Sequence, residues 1–198
     1  MKCLLIVLAS FFLVSCKEKT LSMKGYFPYT NETGNSEYIS RVHAEYYCLF
    51  LSKMGEERIY SKRYSNKEKI YRLTILRESG QSSSVTAFKK NNYFFVRFIN
   101  LGKSENIYPG EIVFSDERKL EKNELNALFE KSSFLDESRM KTVEDGIHLG
   151  GGCWIFESLA RGEYKLIVRH NLSQNFEDSE ESKLLNLCNF LLELKKRT

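Results

Sequence analysis

Apolar and polar positions along the chain change period several times, and each change marks an element. From Ser36 to about Met54, the residues Ile39, Val42, Tyr46, Leu49, Phe50 and Leu51 recur at helical spacing, with Ser36 as a cap and Gly55 as a stop. The charged stretch Glu56–Lys69 predicts a loop or a short helix. Ile70 to Leu76 then alternates, with Tyr71, Leu73 and Ile75 on one side and Arg72 and Thr74 on the other, as in a half-buried strand. Ser84–Phe88 and Tyr93–Ile99 follow as further strands, separated by the turn clusters Glu78–Ser83 and Lys89–Asn92. After the turn at Tyr108-Pro109-Gly110, Glu111–Phe114 reads as a short strand or edge segment. Glu121–Lys131 reads as a second helix, with Leu120 and Leu125 placed as a hydrophobic staple. The glycine-rich run 146–152 leads into a hairpin, Cys153–Leu159 and Glu163–Arg169, turned by Ala160-Arg161-Gly162. A third helix over Ser179–Lys195 carries Leu184, Leu187, Cys188 and Leu191 on one face. Few crossovers and many hairpins predict an α+β fold, with an antiparallel sheet (a meander plus a C-terminal hairpin) and about three helices packed on one of its faces.

The first residues follow none of these periods. Lys2 precedes an apolar run from Cys3 to Val14 interrupted only by Ser10, and the chain turns polar directly after Leu13-Val14-Ser15-Cys16. About a dozen apolar residues suit a signal peptide's central region and fall short of the roughly 20 a membrane-spanning helix needs. The segment resembles the signal peptide and lipobox of bacterial lipoproteins. That resemblance implies cleavage before Cys16, a lipid on Cys16 and a cell-envelope location. Lys17, where some Gram-negative lipoproteins have an inner-membrane retention aspartate, favours the outer membrane. The expected organisation is a signal peptide over 1–15, a lipidated tether over 16–35 and one α+β domain over 36–198. As a flexible coil the tether would spread about 20–30 Å. Its three aromatics, Tyr26, Phe27 and Tyr29, have two readings: packing on the domain edge, or seating at the membrane interface.

Composition narrows the function classes. Lys and Arg number 30 against 26 Asp and Glu, with no dense basic block, so nucleic acid is not an expected partner. Two prolines and abundant Tyr and Phe indicate a folded domain. Of five cysteines, Cys3 would leave with the signal and Cys16 would carry lipid. Cys48, Cys153 and Cys188 remain, either as one disulfide with a free thiol or as three buried small hydrophobes. No CxxC or Cys/His cluster points to a metal, and no cofactor is expected.

Candidate chemistry is sparse. Gly150-Gly151-Gly152 precedes a strand and lacks the Lys-Ser/Thr of a phosphate loop, so it reads as a flexible connection. Cys153 with His148 or His170 could be drawn as a thiol and its base, although a buried Cys beside Trp154 is the simpler reading; His43 is the third histidine. Glu157 and Arg169 sit on the two hairpin arms and read as a surface ion pair. Arg72 and Arg97 punctuate strands and read as marking the solvent side of the sheet. Trp154, Glu157, Tyr164 and Arg169 together form a candidate binding surface.

Pro109-Gly110, the Leu120–Phe129 helix, Asp145-Gly146, Trp154-Ile155-Phe156-Glu157, Gly162-Glu163-Tyr164, Val168-Arg169 and the Cys188 helix carry a further likeness. Over about Tyr71–Leu194 the chain resembles a loose family of small uncharacterised bacterial proteins that share DG, W-x-x-E, G-x-Y and a closing helix with Cys and Leu. Seven residues separate Gly146 from Trp154 here, more than in that family. The likeness implies the fold and no mechanism. The expectation is a lipid-anchored binding or structural module with a membrane and a protein as its partners. The alternatives are an immunity- or inhibitor-like partner protein and a hydrolase working through Cys153 or a Glu.

Overall fold

A computed structural model describes residues 26–30, 38–65, 68–77, 80–104, 108–143, 152–170 and 179–197. The signal segment, Cys16, His148, Asp145-Gly146 and Gly150-Gly151 lie outside the described residues.

In chain order the elements are β1 (Tyr29–Thr30), β2 (Ile39–Ser40), α1 (Arg41–Lys53), a 3-10 turn (Ile59–Lys62), β3 (Lys69–Arg77), β4 (Gln81–Lys90), β5 (Tyr93–Lys103), β6 (Ile112–Lys119), α2 (Lys122–Ser132), a 3-10 turn (Ser133–Asp136), β7 (Gly152–Ala160), β8 (Glu163–His170), α3 (Glu180–Glu193) and a closing 3-10 turn (Leu194–Arg197). β1 and β2 form a small parallel pair. The other six strands form one antiparallel sheet in the order β6-β5-β4-β3-β7-β8. The meander and the C-terminal hairpin are both present, and the hairpin joins by pairing β7 with β3.

Two turns set the hairpin registers. Asn91 and Asn92 have φ of +50° and +65°, and Arg161 and Gly162 have +54° and +82°. Two consecutive positive-φ residues give the two-residue turn whose twist matches that of the flanking strands.

Sheet alternation builds two cores. One face carries Tyr71, Leu73, Ile75, Val85, Ala87, Val96, Phe98, Phe156 and Ile167 against Leu128 of α2 and Leu184, Leu187, Cys188 and Leu191 of α3. The other carries Leu76, Ile99, Leu101, Cys153, Ile155, Leu166 and Val168 against Ala44, Tyr47, Cys48, Phe50 and Leu51 of α1. The α+β class and antiparallel sheet are as expected, but the helices divide between the faces. The reason lies in the central strands: β7 is apolar at both odd and even positions, and β3 is buried on both sides, so each face needs its own cover.

Boundaries moved most at the N-terminal end. α1 begins at Arg41 with Ser40 as its cap, where Ser36 was expected. Tyr26 and Phe27 are buried in the α1 core, so the domain reaches back to residue 26, inside the expected tether; Tyr29 stays exposed. α2 starts as expected, and its poor-looking cap Glu121 works as a capping box with Glu124.

Candidate functional site

The strongest concentration of chemistry among the described residues lies beneath the end of α1. Gly55, at φ +66°, stops the helix. The Glu56 amide donates to the Leu51 carbonyl (2.9 Å) and the Gly55 amide to that of Ser52 (3.0 Å), the paired bonds of a Schellman turn. That turn folds Glu56 back onto the sheet.

There Glu56 meets a row of polar residues drawn from five neighbouring strands. Arg72 of β3 stands directly opposite Glu157 of β7 in register. Its Nε donates to Glu157 Oε2 at 2.7 Å, its Nη2 lies 2.5 Å from the same oxygen, and its Nη1 donates to the Glu57 carbonyl at 2.7 Å and reaches Glu56 Oε2 at 3.4 Å. Ser84 Oγ of β4 donates to Glu56 Oε1 at 2.8 Å, and Thr86 Oγ1 lies 3.2 Å from both Glu56 oxygens. Arg97 of β5 donates to Glu56 Oε2 at 2.8 Å. Tyr164 of β8 donates its hydroxyl to Glu157 Oε1 at 3.0 Å, and its ring meets Tyr60 edge-on at 5.1 Å. The side chains of Glu56, Arg72 and Glu157 are fully shielded from solvent.

Burial sets the electrostatics. It would raise the Glu56 carboxyl, but the Arg72 and Arg97 guanidiniums, with the Ser84 hydroxyl, outweigh it and hold the group below its ordinary range. Glu157 is raised, because complete burial outweighs the pull of its single guanidinium, Arg72. A carboxyl with a depressed pKa adds stability above its unfolded value near 4.5 and loses it as pH falls through the folded value. Glu56→Gln should therefore lie furthest below wild type in denaturant unfolding at neutral pH. That gap should narrow on acidification below about pH 4.5; a gap independent of pH would show that Glu56 contributes no charge.

The cluster encloses a cavity of about 20 Å³ lined by Glu56, Arg72, Thr86 and Arg97 among others, room for about one water. A substrate does not fit. The arrangement locks four charges together and fixes the end of α1 to the sheet. Among the described residues no group of three or more His, Cys, Asp or Glu is arranged to hold a metal ion.

Several expected site residues fall elsewhere. Arg72 and Arg97 do not mark a solvent side: Arg72 is wholly buried and Arg97 largely so, because the segment after α1 roofs this part of the sheet and brings their counter-ion. Glu157 and Arg169 do not pair. Glu157 stands opposite Leu166, and Arg169 opposite Trp154, so the two project from opposite faces. Arg169 instead binds Glu181 of α3 at 2.7 Å and the carbonyl of Lys141 at 3.2 Å. The four residues of the candidate binding surface are thus split, with Glu157 and Tyr164 on the α1 face and Trp154 and Arg169 on the α2/α3 face, and two of them are buried.

Cys153 lies opposite His170 in register but turns its thiol to the Tyr47 hydroxyl, 3.3 Å away in the core. Burial pushes that thiol up to about 11, the reverse of an activated nucleophile. Cys48, Cys153 and Cys188 are all buried free thiols, so the second of the two cysteine readings describes them. His43 stacks on Tyr47 at 5.9 Å between ring centroids.

Glu56, Ser84 and Thr86 escaped the sequence reading. The available signal was Gly55: the residue just after a helix-terminating glycine turns back along the helix it ends, and here that residue is Glu56. No known protein family, curated protein or solved structure matches the chain.

Proposed function

We propose that the protein is a cell-envelope lipoprotein, anchored by lipid on Cys16, whose α+β domain serves as a binding or structural module. The observation that carries this reading is Leu13-Val14-Ser15-Cys16 at the polar end of the apolar run Cys3–Val14. Lys17 favours the outer membrane within it. Among the described residues Cys48, Cys153 and Cys188 are buried free thiols, committed to the interior. No helix among the described residues is long and apolar enough to cross a membrane. The burial of the domain's densest polar cluster and of its thiols supports the binding or structural reading over a hydrolase working through Cys153 or a Glu. A structural or binding role needs neither.

Metabolic labelling with a fatty acid tests the anchor. The wild type should incorporate label and Cys16→Ala should incorporate none. Equal labelling of the two would overturn the reading.

A further inference from the structure

We propose that the exposed aromatic and basic strip at the β4–β6 corner of the sheet docks on an anionic phospholipid surface. Lys90, Tyr93, Phe88, Phe95 and Lys119 share the α1 side of the sheet. In register, Lys90 faces Tyr93, Phe88 faces Phe95, and Phe95 faces Lys119. The Phe88 and Phe95 rings stack at 6.1 Å, and the Lys119 ammonium sits 3.4 Å from the centre of the Tyr93 ring.

α1 covers the far end of these strands through Ile99 and Leu101, but this corner stays open. Tyr93 is 54% exposed, and Ser115, Glu117 and Lys119, which β6 pairs with Ile99, Arg97 and Phe95 on this side, are exposed. The same edge borders an open hollow of about 580 Å³ lined by Tyr93, Lys119, Glu121, Lys122 and Leu125, together with Phe94 and Leu120, which are buried in the α2/α3 core. The Tyr93 ring and the half-buried Phe88 and Phe95 rings, flanked by Lys90 and Lys119, match a bilayer interface, where ring bodies meet acyl chains and ammonium groups meet lipid phosphates. Two carboxylates belong to this surface: Glu117, opposite Arg97, and Glu121 at the hollow.

The position of the N-terminal segment argues for a membrane over another occupant, and this step rests on the lipid-anchor reading above. Nine residues separate Cys16 from Tyr26, ten Cα–Cα steps with a reach of at most about 35 Å. Tyr26 donates its hydroxyl to the Glu56 carbonyl, the Glu56 carboxylate holds Arg97, and the Arg97 guanidinium lies 5.8 Å from the centre of the Phe88 ring. A lipid on Cys16 would hold this corner of the sheet within one tether length of the bilayer.

The test uses the full chain purified from host membranes and mixed with an excess of vesicles containing radiolabelled phosphatidylglycerol. A photoreactive benzoylphenylalanine is placed at Tyr93, or as a control at Lys183, which is exposed on α3 of the opposite layer. Irradiation should attach lipid at position 93 at least tenfold more than at 183. Lys90→Gln and Lys119→Gln should each lower the yield at 93 roughly fivefold. All-phosphatidylcholine vesicles should lower it as well. Equal yields at 93 and 183, or a yield at 93 indifferent to both lysines, would overturn the proposal. Flotation and fatty-acid labelling of the same samples report on the anchor separately. Attachment at 93 without an anchor would leave the strip standing and sink the anchor; an anchored protein without attachment at 93 would do the reverse.

Discussion

Replacing Arg72 with methionine should destabilise the domain by about 3–5 kcal/mol, read from denaturant unfolding at neutral pH. Arg72 stands between two carboxylates that are as deeply buried as it is. Removing it leaves Glu157 with only a neutral hydroxyl, from Tyr164, and strips Glu56 of one of its two guanidiniums. Desolvated charge without a partner is far more costly than a lost surface pair, which typically contributes about 0–1 kcal/mol. Acidification should relieve part of the defect, because Arg72 lowers both carboxyls and its removal lets both take up protons at higher pH. Adding Glu157→Leu to Arg72→Met should restore much of the lost stability, since it removes the stranded charge and leaves the Glu56–Arg97 pair in place. A single-variant loss below about 1 kcal/mol would mean that water reaches the cluster.

The second large effect is expected on the α1 face. Phe50→Ala should cost about 3–5 kcal/mol, or roughly 10 °C in melting temperature for a domain of this size. Phe50 is fully buried in the last turn of α1, packs edge-on against Tyr46 at 5.0 Å, and belongs to the core that α1 forms with the sheet. Among the described residues α1 is the only α-helix on that face, whereas α2 and α3 share the other. Hydrogen exchange of the variant should therefore rise in α1 and Glu56 more than in α3. A uniform rise across both layers would show that the two layers open together.

The parts of this architecture that were legible in the sequence are those with local causes. The alternation of Ile70–Leu76, the turn at Arg161-Gly162 and the leucine spacing of α3 each arise within one element, and each element formed close to its expected place. Long-range choices were not legible. Alternation in β3 put Arg72 opposite the apolar set, and solvent was the ordinary inference; only the return of residues 56–62 over that face makes it an interior. The Glu157–Arg169 pairing failed for a reason the sequence did contain. A two-residue turn at 161–162 pairs 157 with 166, and 166 and 169 are separated by an odd step, which sends them to opposite faces. The buried cluster itself draws on residues 56, 72, 84, 86, 97, 157 and 164. No window of the chain displays it.

The position of β7 has a consequence for the order in which the molecule comes together. Arg72 and Glu157 lie 85 residues apart, yet they form one ladder pair at the centre of the sheet. A chain emerging from its N-terminus can assemble β3 to β6 as a meander, but β3 is then its open edge strand, and the Arg72 guanidinium on that edge lacks its Glu157 partner until residue 157 arrives. The meander alone is a poor resting place, and the last hairpin completes the charge balance as well as the sheet. Folding should therefore be late and abrupt, with the chain remaining loose until nearly all of it is available.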